Sequence, residues 1–364
     1  MARARSRGCL SVAVRSAGIL VFFGILFAAG LGYFLWRALN TPFSSAQEPV
    51  LVEVQKGWNS GTILERLRKE GVLRDDFVPL AYLKILRRGD SLKAGVYEFD
   101  GPLSPIAVID KLVAGEVIFR SVFIREGIDR FAVGEAMAAA GFGSVDEWKE
   151  ITSQPDPIRD LAPDAESLEG YLFPDTYKLT PGTPPSRIAS VMVQNFRDKF
   201  GGQLAYISTG LSLHETVILA SIVETEARLP EERPVIAGVY LNRIRKGMLL
   251  GADPTVIYAL KLDGTWDGNI RRDDLVNNDS PYNTYRKRGL PPGPIANAGL
   301  ASLEASARPA ASDYYYFVSR NDGSHVFART LNEHNRNVQE FQRNYFRRKR
   351  AEEKASAPGE AEAQ

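Results

Sequence analysis

Apolar and polar positions follow three different rhythms along this chain. From Ser16 to Trp36 no residue is charged, and a helix of that length covers a hydrocarbon layer of about 30 Å, so one spanning helix is expected. From Val52 the rhythm changes: VEVQKG alternates as a strand does, and Ile63 and Leu67 then recur at helical spacing. The same succession returns further on, with Val52 matched by Val122, Val54 by Ile124, Gly57 by Gly127, Ile63 by Val133, Leu67 by Met137 and Gly71 by Gly141. Two copies of one strand-turn-helix unit are expected. Gly57 and Gly127 would leave the strand, and Gly71 and Gly141 would end the helix. The first copy extends through LKAGVYEF to a short helix near Ile106 to Val113 and resembles the LysM-like modules that bind glycan.

The third rhythm lies in LHETVILASIVETEARL. Ser212 and Glu215 have capping-box spacing, so a helix is expected from Leu213 to no further than Leu229, before Pro230. Glu215 then acts as a cap. Leu213, Val217, Ala220 and Glu224 fall on one stripe of that helix. A carboxyl group on such a stripe loses hydration, which favours its protonated form and suits a general acid. Read from the helix alone, an ordinary pair of Glu224 with Arg228, four residues on, competes with that reading. Glu226 lies on another face and is assigned to solvent or a partner side chain. Downstream, YYYFV and HVFA, joined by Asn321, Asp322 and Gly323, predict a hairpin, and Leu331 to Arg343 a packing helix with Asn332 and His334 in structural roles.

Orientation follows from charge. Arg3, Arg5, Arg7 and Arg15 precede the apolar run without an acidic residue, and only Arg37 follows closely, which keeps the N-terminus cytoplasmic and the remainder outside. Tyr33, Phe34 and Trp36 sit at the exit, where aromatic rings favour the interface. A cleaved leader with its cut near Ser44, Ser45 and Ala46 is the alternative, but the apolar run exceeds the usual 7 to 15 or so residues of such a leader.

Composition narrows the chemistry. The 364 residues, 44% of them hydrophobic, can build one large domain and smaller ones. With 45 basic and 44 acidic residues the net charge is +1, so no global field draws in nucleic acid. Cys9 is the only cysteine and is read as a silent cytoplasmic thiol, and His214, His325 and His334 form no HExxH arrangement. Neither metal nor cofactor is expected.

Three segments combine polar groups with Pro- and Gly-marked backbone: SLEGYLFPDTY (167–177), GADPTVIYAL (251–260) and SPYNTYRKRGLPPGPIANAG (280–299). Tyr171, Phe173, Tyr177, Tyr282 and Tyr285 could stack on sugar faces, while Asp175, Asp253, Thr255, Asn283 and Thr284 could hydrogen-bond hydroxyl or acetamido groups. The same residues could equally cap and staple a loop-rich fold.

EGYLFPDTY, LASIVETEA, VYLNRIRKGM, DPTVIYAL, YNTY, GLPPGPIANAG and YYYFV occur in this order, and with them the chain resembles the YceG-like endolytic murein transglycosylases from the spanning helix to about residue 345. The resemblance implies an enzyme that cuts nascent peptidoglycan strands internally, between MurNAc and GlcNAc, leaves 1,6-anhydroMurNAc ends and stops strand elongation beside the synthases, the penicillin-binding proteins. It carries the family's catalytic glutamate, the first in LASIVExE, onto Glu224. One departure is visible: many relatives have glutamine where this chain has Gly251. A lytic reaction needs one carboxyl group serving first as acid and then as base. A hydrolase would use two, and Glu169 and Asp253 are the candidates for a second.

The expected architecture is α+β: a cytoplasmic N-terminus (1–15), a spanning helix (16–36), a LysM-like module (41–118), a second βα unit and connector (119–160), a mixed α/β catalytic domain (161–346) and a disordered tail (347–364), with the Pro- and Asp-rich stretch Pro155 to Ala165 separating the βα units from the catalytic region. The expected site is Glu224, with Glu169, Tyr171, Asp175, Asp253, Thr255, Asn283, Thr284 and Tyr285 holding substrate. The expected location is the inner membrane, with the catalytic domain periplasmic. A wall-binding scaffold tethering synthases is the alternative. A serine or metal peptidase lacks its motifs.

Overall fold

A computed structural model of the chain describes residues 5–44, 49–202 and 207–356, with side chains for those within 18–350. Ser45 and Ala46, the side chains of Cys9 and Arg15, and the tail from residue 357 lie outside the described residues. Two compact units divide between Arg120 and Ser121.

The first unit begins with helix α1 (Arg5–Asn40), whose Gly18–Asn40 part is long and apolar enough to cross a membrane. Strands β1 (Val50–Val54) and β2 (Gly95–Phe99) pair antiparallel, with Val52 opposite Tyr97. Helices α2 (Ser60–Lys69), α3 (Phe77–Ile85) and α4 (Pro105–Ala114) complete the unit. Its core buries Val52, Val54, Ile63, Leu67, Leu83 and Leu112, the alternate strand positions and the i, i+4 helix positions of the sequence pattern.

The second unit opens with the other copy of the repeat, β3 (Arg120–Phe123) and α5 (Arg130–Ala139), β3 pairing with β4 (Thr176–Leu179). The copies share their punctuation. Asn59 Oδ1 accepts a hydrogen bond from Thr62 N at 2.9 Å, and Asp129 Oδ1 one from Ala132 N at 2.9 Å, both as helix N-caps. Gly57 and Gly127 have φ of +92° and +77°, in the left-handed region that glycine enters without steric cost.

Helices α6 (Val145–Thr152), α7 (Pro185–Lys199), α8 (Leu213–Glu226), α9 (Arg233–Arg245), α10 (Asp253–Leu262), α11 (Arg272–Asn277) and α12 (Leu300–Ala307) follow. Ile158, Ala162 and Ala165 are buried in the same core as Val122, Trp148 and Phe196, so the Pro- and Asp-rich stretch expected to separate domains is woven into one. The reason is those three apolar side chains, which a solvated linker would leave in water.

Strands β5 (Tyr316–Ser319) and β6 (His325–Ala328) form the hairpin, Phe317 facing Phe327. Helix α13 (Leu331–Val338) is shorter than expected. It runs through a wider π turn (Gln339–Asn344) into α14 (Tyr345–Ser356). His334 stacks on Tyr316 with ring centroids 5.2 Å apart. The whole is a mixed helix and strand fold with three two-stranded sheets among the described residues.

Candidate active site

Helix α8 is held at its start by the capping box: Glu215 N donates to Ser212 Oγ at 3.1 Å and Ser212 N to Glu215 Oε2 at 2.8 Å. Every residue from Thr216 to Val223 is buried, so the helix is a central rod and not an amphipathic one with a single inward stripe. α8 ends at Glu226, with Ala227 already in extended backbone. Glu224 lies in the last turn.

The Glu224 side chain is 7% exposed. Its Oε2 accepts a hydrogen bond from Gly299 N at 3.1 Å, and its Oε1 lies 3.5 Å from a terminal nitrogen of Arg233. Gly299 immediately precedes α12, so the carboxyl group faces a helix N-terminus, where backbone N–H groups lack helical partners and the dipole is positive. Arg233 is fixed in turn by its Nε, which donates to Ser302 Oγ at 3.0 Å. The cation beside Glu224 therefore comes from α9 and not from Arg228, because the helix stops before Arg228 can take the i+4 position.

A second carboxyl group attends the site. Glu126, an exposed residue just after β3, lies over Gly299, where an added Cβ would stand 2.0 Å from Glu126 Oε1. Partial burial, and after it the negative charge of Glu224, raise the proton affinity of Glu126, while Arg233 opposes them. Gly127 passes directly under the catalytic candidate, a Cβ there standing 3.4 Å from Glu224 Cγ. The sequence carried one sign of Glu126: it occupies the place that Lys56 holds in the first repeat copy, a charge reversal at a matched position.

Glu169 is not the partner acid. Its carboxyl group is enclosed, accepts hydrogen bonds from Arg130 N at 3.0 and 2.9 Å and from Asn297 Nδ2 at 3.1 Å, and burial pushes its pKa up to about 8. It fastens the start of α5 to the IANAG loop. Asn297 completes that fastening: Leu172 N donates to its Oδ1 at 3.0 Å and Gly127 N to its carbonyl at 2.8 Å.

The other sequence candidates separate into two groups. Tyr171, Thr255, Asn283 and Thr284 are buried and spend their polar atoms internally. Tyr171 Oη bonds His214 Nδ1 at 2.8 Å and its ring packs edge-on against Phe196, so the face expected to stack on sugar is covered. Phe173 and Tyr177 are likewise in the core. Thr255 and Thr284 join hydroxyls at 2.9 Å, and Asn283 Nδ2 donates to the carbonyls of Asn278 and Leu275 at 2.7 and 3.0 Å.

Asp253, Tyr285 and Asp175 retain exposed surface. Tyr285 Oη donates to Asp253 Oδ1 at 2.5 Å, and Tyr285 rests over Gly251, whose added Cβ would stand 3.6 Å from the ring. The position lacking glutamine is thus open above an aromatic ring. Beside them Glu226, accepting from Tyr240 Oη at 3.2 Å, has its pKa pushed up to about 7 by burial and then by the charge of Asp253. Asp175 accepts from Asn195 Nδ2 at 3.0 Å and from Thr176 N, contacts that fix the start of β4.

The chain resembles known proteins over most of its length. Residues 52–340 match the model of the YceG-like family. The chain is 30% identical over 334 residues to a Bacillus subtilis protein named endolytic murein transglycosylase, covering 85% of this chain and 90% of that one. It is also 30% identical over 356 residues to a Streptococcus pneumoniae protein of the same name, of whose length it spans 64%, less than two thirds. The crystal structure of a YceG-like protein from Listeria monocytogenes superimposes with a TM-score of 0.53 at 30% identity, covering 80% of this chain and 99% of that one. On the extent of the family match, which takes in both repeat copies, α8 and the hairpin, the chain belongs to the YceG-like family.

Proposed function

We propose that this protein is an endolytic murein transglycosylase, a lyase that cuts peptidoglycan strands internally, with Glu224 as its catalytic group. The observation that carries this reading is the setting of Glu224: a nearly enclosed carboxyl group at the start of α12, facing Gly299 N–H and Arg233, with Glu126 beside it. Relatives named for that activity support it.

Glu224 first gives its proton to the glycosidic oxygen between MurNAc and GlcNAc. The bond from that oxygen to C1 of MurNAc breaks, and the departing GlcNAc keeps the proton as its hydroxyl. The ionised Glu224 then takes the proton of the MurNAc 6-hydroxyl as O6 bonds to C1, so the product is 1,6-anhydroMurNAc and the enzyme ends protonated as it began. Arg233 and Gly299 N–H hold the carboxylate between the two steps, at a site where little water screens them. Glu126 places a second negative charge next to the centre where positive charge develops at C1.

The rest of the chain serves placement. α1 anchors the protein in the inner membrane with its N-terminus cytoplasmic, and residues 41–118 act as a LysM-like module that holds glycan beside the synthases, where cutting ends elongation of the nascent strand. The division into a module at 41–118 and a catalytic unit that takes in the second βα copy together with the 161–346 region belongs to this reading. Incubation of the full chain with purified glycan strands tests it. The expected product is a set of shorter strands, each one water lighter at the new MurNAc end than a reducing sugar. Strands of unchanged length would overturn it.

A further inference from the structure

Beginning at Gly127, under Glu224, the second unit carries two adjoining cavities. The first, of about 230 Å³, is lined by Gly127, Thr225, Ile257 and the pair Asp129 and Lys261. The second, of about 260 Å³, shares Asp129 and Lys261 and ends at Phe131 and Trp266. The two adjoin at Asp129 and Lys261; Gly127, at one end, lies beside Glu224, and the indole ring of Trp266 stands at the other. No segment motif of the sequence pointed to Trp266, which stands alone in the turn after α10.

The groups lining these cavities suit one ligand chemistry. Lys261 Nζ donates to Asp129 Oδ2 at 2.5 Å, and an ammonium group has three donors, so two remain for the groove. Asp129 is held still, because its other oxygen caps α5. Phe131 has one face against the Arg130 guanidinium, 4.3 Å from its centroid, and lies beside Tyr258, so of the two partly exposed rings at the groove's end Trp266 is the one with no ring or cation packed on it among the described residues. An apolar ring face followed by fixed donors matches a pyranose, which has an apolar face and a rim of oxygen acceptors.

We propose that this groove is a saccharide subsite: it holds the glycan strand on one side of the scissile bond, with a sugar ring stacked on Trp266 and a hydroxyl or acyl oxygen of the strand hydrogen-bonded to Lys261. This rests on the assignment of a glycan substrate above and adds where the strand lies. The arrangement fixes the strand at two points, Glu224 and Trp266, so an enzyme that uses it favours long internal stretches over short ends.

The test uses the full chain carrying Glu224→Gln, which keeps substrate uncut, titrated with purified peptide-free glycan strands while tryptophan fluorescence and the dissociation constant are read. Binding is expected to quench fluorescence. Trp266→Ala is expected to weaken binding about tenfold, as losing one aromatic contact of about 1.4 kcal/mol would, and Trp266→Tyr to restore most of it. In the otherwise native enzyme Trp266→Ala raises KM with kcat largely kept. Unchanged affinity in Trp266→Ala and in Lys261→Gln, with melting temperatures unmoved, overturns the subsite. Cutting by wild type with binding indifferent to Trp266 rejects the groove alone. Trp266-dependent binding without any cutting upholds the groove and rejects the lyase.

Discussion

Glu224 Oε2 and Gly299 N are 3.1 Å apart, a single hydrogen bond joining residues 75 positions apart in the chain. It ties the last turn of α8 to the first of α12, so the candidate carboxyl group is placed by two helices and not by a loop. Gly299 has φ of −72°, which any residue can adopt, so its lack of a side chain is a matter of space. A Cβ there would meet the Glu126 carboxyl group at 2.0 Å. That group is the free end of a flexible side chain and can swing away. Gly299→Ala should therefore leave stability within about 0.5 kcal/mol while displacing Glu126. The expected result is a melting temperature close to wild type with reduced turnover of glycan strands. An unchanged rate would show that the carboxyl group over Gly299 has no part in the reaction.

Glu126→Gln removes one negative charge from the pair with Glu224. The proton affinity of Glu126 is raised by burial and then by the charge of Glu224, with Arg233 opposing them. Glutamine neither titrates nor carries that charge, so the part of the kcat/KM pH profile that follows Glu126, above the ordinary glutamic acid range, should be lost in the variant. A profile superimposable on wild type would contradict a role for Glu126 in the reaction.

Arg233 is 12% exposed and faces a carboxylate of 7% exposure. Removing one partner of so enclosed a pair typically costs about 3 to 5 kcal/mol when the other is left charged and uncompensated. Arg233→Met should lower the unfolding free energy of the full chain in detergent by that order. Adding Glu224→Gln should restore a good part of it, since the orphaned charge is gone. Strictly additive losses would argue against the pairing.

Glu169 makes a prediction about stability. Burial pushes its pKa up to about 8, so the folded state favours the neutral form more than the unfolded chain does. That contribution is fully present below the ordinary glutamic acid range and is lost as pH rises through about 8, with a slope of up to about 1.4 kcal/mol per pH unit. Glu169→Gln, which keeps an oxygen for Arg130 N, should remove this slope in urea unfolding measured from acid to alkaline pH. The same slope in the variant would place its origin elsewhere.

Much of the local structure was legible in the residues. The repeat spacing placed Gly57 and Gly127 at turns that demand positive φ, and Ser212 and Glu215 located the start of α8 because a capping box needs only four adjacent positions. What could not be read was which distant groups meet. Arg228 stands at i+4 in the sequence, but that spacing has meaning only while the helix lasts, and α8 ends at Glu226. Arg233, Gly299 and Glu126 reach Glu224 through the packing of α9, α12 and β3, which no local pattern encodes. Tyr171 misled for the opposite reason: an aromatic residue in a Gly- and Pro-marked segment suggests a surface platform, yet its ring fills the core beside Phe196.

Mass spectrometry of purified glycan strands incubated with the full chain, wild type against Glu224→Gln, tests the account most directly. Wild type is predicted to give internal fragments ending in 1,6-anhydroMurNAc, and Glu224→Gln to give none while still folding and binding strands. Cleavage by Glu224→Gln at the wild-type rate would contradict the assignment of Glu224, and fragments ending in reducing MurNAc would contradict the lytic reaction.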